Sequence, residues 1–168
     1  MKIILLFGGR SAEHEVSVLS AANVLPRLSA LGHEVIPIGV ARDGTLLRYV
    51  GAPDALGDAW KGASVSASIL FEGGKLSFLS GASHISPDLV FSVLHGKDGE
   101  DGAWQGLLTL AHIPFVGAGV CASAIGFNKR LSKILAAGCG APIVPYLSVR
   151  AWSDELYARV EHCAPRSL

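Results

Sequence analysis

Apolar residues in this chain follow two rhythms. Short unbroken runs end in glycine or a polar turn, as in Ile3-Ile4-Leu5-Leu6-Phe7 before Gly8-Gly9, and Leu89-Val90-Phe91-Ser92-Val93-Leu94 before His95-Gly96. An unbroken run of this length fits a strand buried on both faces, as in a parallel sheet. Between such runs the spacing becomes helical. Val18, Ala21, Ala22, Leu25 and Leu28 fall at i, i+3, i+4, i+7 and i+10, which predicts a helix from about Glu13 to Leu31. Ser11 is the expected N-cap, with Glu13 and Glu15 in the first turn where the helix dipole favours anions. Pro26 is expected to kink or end this helix early, and Gly32 to stop it. Val35 to Val40 reads as the next strand, completing a βαβ unit.

The pattern changes in residues 41–85. Asp43-Gly44 and Gly73-Gly74 are hairpin-type turn signals. Leu46–Val50, Ser68–Phe71 and Leu76–Leu79 read as short strands, and 51–63 as irregular. The segment is expected to be an insertion of small strands and loops. Regular alternation resumes with the strand at 88–94. A helix follows in which Trp104, Leu107, Leu108 and Ala111 share one face, then a short strand at Pro114–Gly117. A helix at about 128–137, a strand at Ile143–Val149 and a last helix at Asp154–Val160 complete the reading. Alternating strands and helices predict an α/β fold with a doubly wound, mainly parallel sheet.

Composition narrows the function. The chain has 168 residues, with 14 Lys+Arg against 14 Asp+Glu, so its formal net charge is zero. That argues against a nucleic-acid binder and against a polybasic membrane-surface protein. Half of the residues are hydrophobic, enough for a real core. No stretch approaches the roughly 18 apolar residues of a membrane span. The N-terminal apolar run is too short for a signal peptide and lacks a cleavage site. The three cysteines have no CxxC spacing, which suits buried thiols in a reducing compartment. A cytoplasmic protein is expected.

In doubly wound sheets ligands sit beyond the carboxyl ends of the strands. Two polar segments take that place, Gly8-Gly9-Arg10-Ser11-Ala12-Glu13-His14-Glu15 and His95-Gly96-Lys97-Asp98-Gly99-Glu100-Asp101-Gly102. Backbone amides of the first could hold an anion, or form a plain tight turn. Glu13 could hold a substrate ammonium, or only stabilise the helix dipole. His95 could bond a substrate and act as a general acid or base, or be a strand-end histidine tied to backbone. Asp98, Glu100 and Asp101 lack calcium-loop spacing and read better as a solvated turn with first-turn acids, so no metal ligand is assigned. Lys129 and Lys133, one turn apart, could face phosphates or solvent.

Taken together these motifs say more. Leu5 to Ser17 closely resembles the opening of D-alanine–D-alanine ligases. So do Val93 to Gly102 with Gln105-Gly106-Leu107-Leu108, and Ile113 to Gly117 followed by Ala122-Ser123-Ala124 and Asn128-Lys129. The resemblance covers residues 2 to about 150. It implies a pre-ATP-grasp, Rossmann-like N-terminal domain at 1–120 and the beginning of a truncated ATP-grasp domain at 121–168. The family joins two D-alanines for peptidoglycan synthesis, using ATP and Mg²⁺ and a D-alanyl phosphate. By resemblance Glu13 holds the ammonium of the first D-alanine and His95 lines the same pocket, the two being the catalytic candidates. Gly8 and Gly9 let the backbone approach the substrate, and Lys129 matches a lysine on the ATP side. Homodimerisation is a possible family trait.

The family is longer than this chain. No Lys-Pro step and no Gly-Ser-Ser loop occur, and the two asparagines, Asn23 and Asn128, lie outside any Glu-x-Asn motif. Phosphoryl transfer is nearly all positioning and electrostatics, so the 168 residues alone are expected to be an inactive half. The alternative is a non-catalytic ligand-binding or interaction module.

Overall fold

The computed structural model describes residues 1–149 together with Ala151, Ser153, Asp154 and Leu156. In chain order its elements are β1 (Lys2–Gly8), α1 (His14–Ala30), β2 (Glu34–Val40), β3 (Leu46–Tyr49), β4 (Ser64–Glu72), β5 (Lys75–Ser80), β6 (Ser83–Ile85), β7 (Leu89–Ser92), α2 (Ala103–Leu110), β8 (Phe115–Val116), α3 (Val120–Phe127) and α4 (Lys129–Gly138). They form two compact units, Met1–Asn128 and the residues from Lys129 onward.

The first unit is built on one sheet in the order β6-β5-β4-β3-β2-β1-β7-β8. β1 pairs parallel with β2 and β7, and β7 with β8. The strands from β3 to β6 add on antiparallel beyond β2. β1 is central because Ile3 to Phe7 can be buried on both faces, and none of the five is more than 2% exposed. Alternate side chains enter opposite layers. Leu5 and Phe7 pack with Val18, Ala21 and Leu25 of α1, together with Trp60. Ile4 and Leu6 pack with Ile38, Val90 and Leu108 of α2. Helices on both faces make this part doubly wound.

Residues 41–85 hold small strands and loops, as the turn signals predict. They are the antiparallel wing of the same sheet, and Leu76, Phe78 and Ile85 complete one core layer. Gly44, Gly73 and Gly74 all have positive φ at the turns that the sequence marks. The irregular stretch 51–63 contains two short 3₁₀ turns and delivers Trp60, 2% exposed, edge-on to Phe7 at 4.8 Å. Gly39 lies under that indole, and a methyl group there would collide with the ring.

Other expectations fail for local reasons. Ser11 does not cap α1; the cap position is Glu13, without a side-chain cap bond. The Ser11 hydroxyl is instead drawn to the strand-end loop described below. α1 continues four residues beyond Pro26. An interior proline costs about 3 kcal/mol, and the burial of Val18, Ala21 and Leu25 against β1 offsets it. β6 and α3 were not expected. Ile143–Val149 forms no strand, because none of the described residues pairs with it. The proposed last helix, Asp154–Val160, lies largely outside the described residues. No described helix is long and apolar enough to cross a membrane.

In the second unit, the Lys133 ammonium donates to Val144 O (3.3 Å) and stands 5.0 Å from the Tyr146 ring centroid. These contacts bring Val144 and Tyr146 back to α4. Leu131, Ile134 and Leu135 are 44%, 48% and 50% exposed. A ten-residue helix without a covered apolar face is marginal in water. Amide hydrogen exchange is therefore expected to be faster at 131–135 than at 89–92, whose strand is paired on both sides. Equal protection of the two segments in a monomer would refute this.

Candidate functional site

The carboxyl ends of β1, β2 and β7 meet at one edge of the sheet, and serines on the first loop and α1 lock them there. The buried Ser17 hydroxyl donates to Val93 O (2.5 Å) and accepts from Gly8 N (2.8 Å). One side chain thus fastens α1 to the ends of β1 and β7. The Ser11 hydroxyl donates to His95 O (2.7 Å) and accepts from Glu13 N (3.2 Å). It ties the two polar loops directly to one another.

The amides of the glycine pair are taken up within the fold. Gly8 N is held by Ser17, and Gly9 N donates to Val40 O (2.8 Å). Neither amide is free for an anion. Gly8 has φ +86, and a Cβ there would strike the Val40 carbonyl. Its freedom serves packing against β2. His14, 4% exposed, donates from Nδ1 to Gly9 O (2.7 Å) and closes the turn.

The fold brings Glu13 and His95 to the same loop junction. The Glu13 carboxylate lies over Gly96, where φ is +72 and a methyl group would meet that carboxylate. His95 precedes Gly96, with its side chain 34% exposed. Its Nε2 is 3.3 Å from the Ser20 hydroxyl and its Nδ1 is 3.7 Å from Glu100 Oε1. The other Glu100 oxygen accepts from Gly96 N (2.8 Å), and Glu100 N donates to Gly96 O (2.9 Å). Glu100 is therefore a clamp on the loop. Asp101 accepts from the amides of Asp98 (3.0 Å) and Ala103 (3.1 Å), preparing the entry to α2. Lys129 opens α4 in the second unit.

Flanking the junction is a cleft of about 350 Å³. Val40, Leu94, Trp104 and Leu107 give it an apolar floor, and Arg10 and Lys97 put cations on its rim. On the α1 side, Arg42 reaches both oxygens of Glu15 (2.6 and 2.5 Å) and holds its carboxyl below the usual range.

Sequence reasoning missed Ser17, Ser20 and Arg42, and it read Glu100 as part of a solvated turn, where the structure makes it a clamp on Gly96. For the two serines a signal was available. They stand three residues apart in a helix whose neighbouring positions are apolar, so their hydroxyls face groups that the sheet presents. Arg42 gave none, because its partner Glu15 is distant in sequence.

Comparison with known proteins points one way. The family model for the D-ala D-ala ligase N-terminus matches residues 2–118. The D-alanine--D-alanine ligase of Caldicellulosiruptor bescii is 40% identical over 166 residues, covering 96% of this chain and 45% of its own length. D-alanine--D-alanine ligase B of Bradyrhizobium diazoefficiens is 40% identical over 165 residues, with 92% and 43% covered. Among solved structures, the D-alanine-D-alanine ligase from Coxiella burnetii matches with a TM-score of 0.80 at 33% identity, over 98% of this chain and 49% of that one. The VanG D-Ala:D-Ser ligase from Enterococcus faecalis matches with a TM-score of 0.79 at 32% identity, over 97% and 49%. The chain spans about half the length of the relatives it matches.

Proposed function

This chain belongs to the D-alanine–D-alanine ligase family, and on that premise we propose that residues 1–120 are the amino-acid-binding part of an ATP-dependent D-alanine ligase. In this reading Glu13 takes the ammonium of the first D-alanine, and His95 lines the same pocket. The observation that carries it is the joint placement of the Glu13 carboxylate and His95 around Gly96, with Ser11 bonding both loops. A carboxylate held over a strand end suits an ammonium, and a charge-assisted bond of that kind is about twice as strong as a neutral one.

We assign no ATP or Mg²⁺ ligand to the described residues. Among them no group of three or more His, Cys, Asp or Glu could hold a metal ion. Glu100 and Asp101 are committed to loop amides, and the Gly8 and Gly9 amides are paired internally. No phosphoryl step is assigned to these residues. We read 121–168 as the start of the family's ATP-binding region; the family model stops at 118, which supports that division. Ligation then requires the remainder of a ligase.

Titration of the 168-residue chain with D-alanine, followed by amide NMR, tests the reading. Saturable shifts are expected at Glu13, His95 and Gly96, and the same titration of Glu13→Gln is expected to need more ligand. Shifts confined to other parts of the chain, or none, would overturn it.

A further inference from the structure

Two groups flank the nitrogens of the His95 ring, the Ser20 hydroxyl and the Glu100 carboxylate. Ser20 lies on α1, and its hydroxyl donates to Val16 O (2.8 Å). The Val16 carbonyl, which can only accept, is the nearer partner for the hydroxyl proton, at 2.8 Å against 3.3 Å to His95 Nε2. With the proton on that side, the Ser20 oxygen offers Nε2 a lone pair, and Nε2 is the nitrogen placed to donate. On the opposite side of the ring, Nδ1 faces Glu100 Oε1 at 3.7 Å. That is longer than a hydrogen bond. The carboxylate is itself held in place by the amide of Gly96 (2.8 Å).

The two sides compete for one proton on the neutral ring. A carboxylate is the stronger acceptor and draws the proton toward Nδ1. Ser20 is the nearer partner and holds it on Nε2. We propose that Ser20 is a positioning residue that keeps neutral His95 in the Nε2–H form, leaving Nδ1, beside Glu100, as the ring's proton-accepting atom. Which nitrogen of a histidine accepts is generally set by the bond that the other one makes. Here the fixing group comes from α1, 75 residues away in sequence, so the tautomer depends on the docking of α1 against β7. The ligand that an Nδ1 acceptor serves, an ammonium-bearing amino acid, rests on the reading given above; the tautomer itself does not.

Long-range ¹H–¹⁵N correlation of the histidine rings in the 168-residue chain tests this. The spectrum is taken at a pH where the ring is neutral, with His95 assigned by its loss in His95→Asn. The wild-type ring is expected to show a protonated Nε2 and a bare Nδ1. Ser20→Ala is expected to move the tautomer ratio about fivefold toward Nδ1–H, the effect of one ordinary hydrogen bond. Ser20→Thr, which keeps the hydroxyl, is expected to restore the wild-type ratio. A loss of packing alone would not be repaired in that way. A wild-type ring protonated on Nδ1 overturns the proposal, as does a Ser20→Ala ratio equal to wild type. Glu100→Gln, at an exposed side chain, provides a reading independent of helix changes. Without the carboxylate's pull the ring is expected to stay Nε2–H, and a change to Nδ1–H there also overturns it. No amino acid is added in these measurements, so the D-alanine reading can fail while this one stands.

Discussion

Phe7→Ala is expected to lower the unfolding free energy of the chain by about 3–5 kcal/mol. Phe7 has no exposed surface and meets the Trp60 ring edge-on at 4.8 Å. Truncation removes the transfer energy of the ring and leaves a cavity under Trp60, Val18 and Leu25. The neighbours cannot close on it easily, because β1 is paired on both sides. With total stabilities of about 5–15 kcal/mol for such domains, this is a large share. Urea unfolding, followed by tryptophan fluorescence, reads it as a lower midpoint at constant slope. A loss below about 1 kcal/mol would mean that Trp60 does not seal this layer.

The second large effect belongs to the site. In a ligase completed by fusing this chain to the remaining half of a relative, Glu13→Gln is expected to lower kcat/KM for the first D-alanine about 5- to 150-fold. The change replaces a charge-assisted contact to an ammonium by a neutral one, a loss of about 1–3 kcal/mol, and each 1.36 kcal/mol is tenfold in rate. The substitution leaves side-chain size unchanged, and the Glu13 amide keeps its bond to Ser11. Unchanged kinetics in the fusion would reduce Glu13 to a residue of the helix start.

Legibility varied with the range of the interactions. β1, α1, β2 and α2 were readable, since each carries its own apolar run or periodicity, and the short β8 because Pro114 and Gly117 bracket it. The strands at 46–80 were readable as strands but not as part of the main sheet. Their alternation does not reveal which edge they join. β6 is three residues long, too short for a pattern. Ile143–Val149 has the apolar content of a strand but no partner, and an apolar run alone does not make a ladder. In the site, Glu13 and His95 were found through motif resemblance, and the fold brings them to one loop junction. Gly96 must be glycine for the Glu13 carboxylate to lie over it.

By itself the sequence determined the βαβ start, the two-sided burial of Ile3 to Phe7, and the family to which its three motifs belong. These depend on local spacing, which a linear text preserves. The tertiary structure alone decided the rest. It made 41–85 a wing of one sheet, brought Trp60 onto Phe7, and turned the Gly8 and Gly9 amides inward. It also set His95 between Ser20, 75 residues away, and Glu100. Each of these is a matter of which acceptor or apolar surface a group meets once the chain is closed. Ser11 illustrates the difference. Its residue type suits a helix cap, but the folded chain presents it with the carbonyl of His95, 84 residues away, and its hydroxyl bonds there.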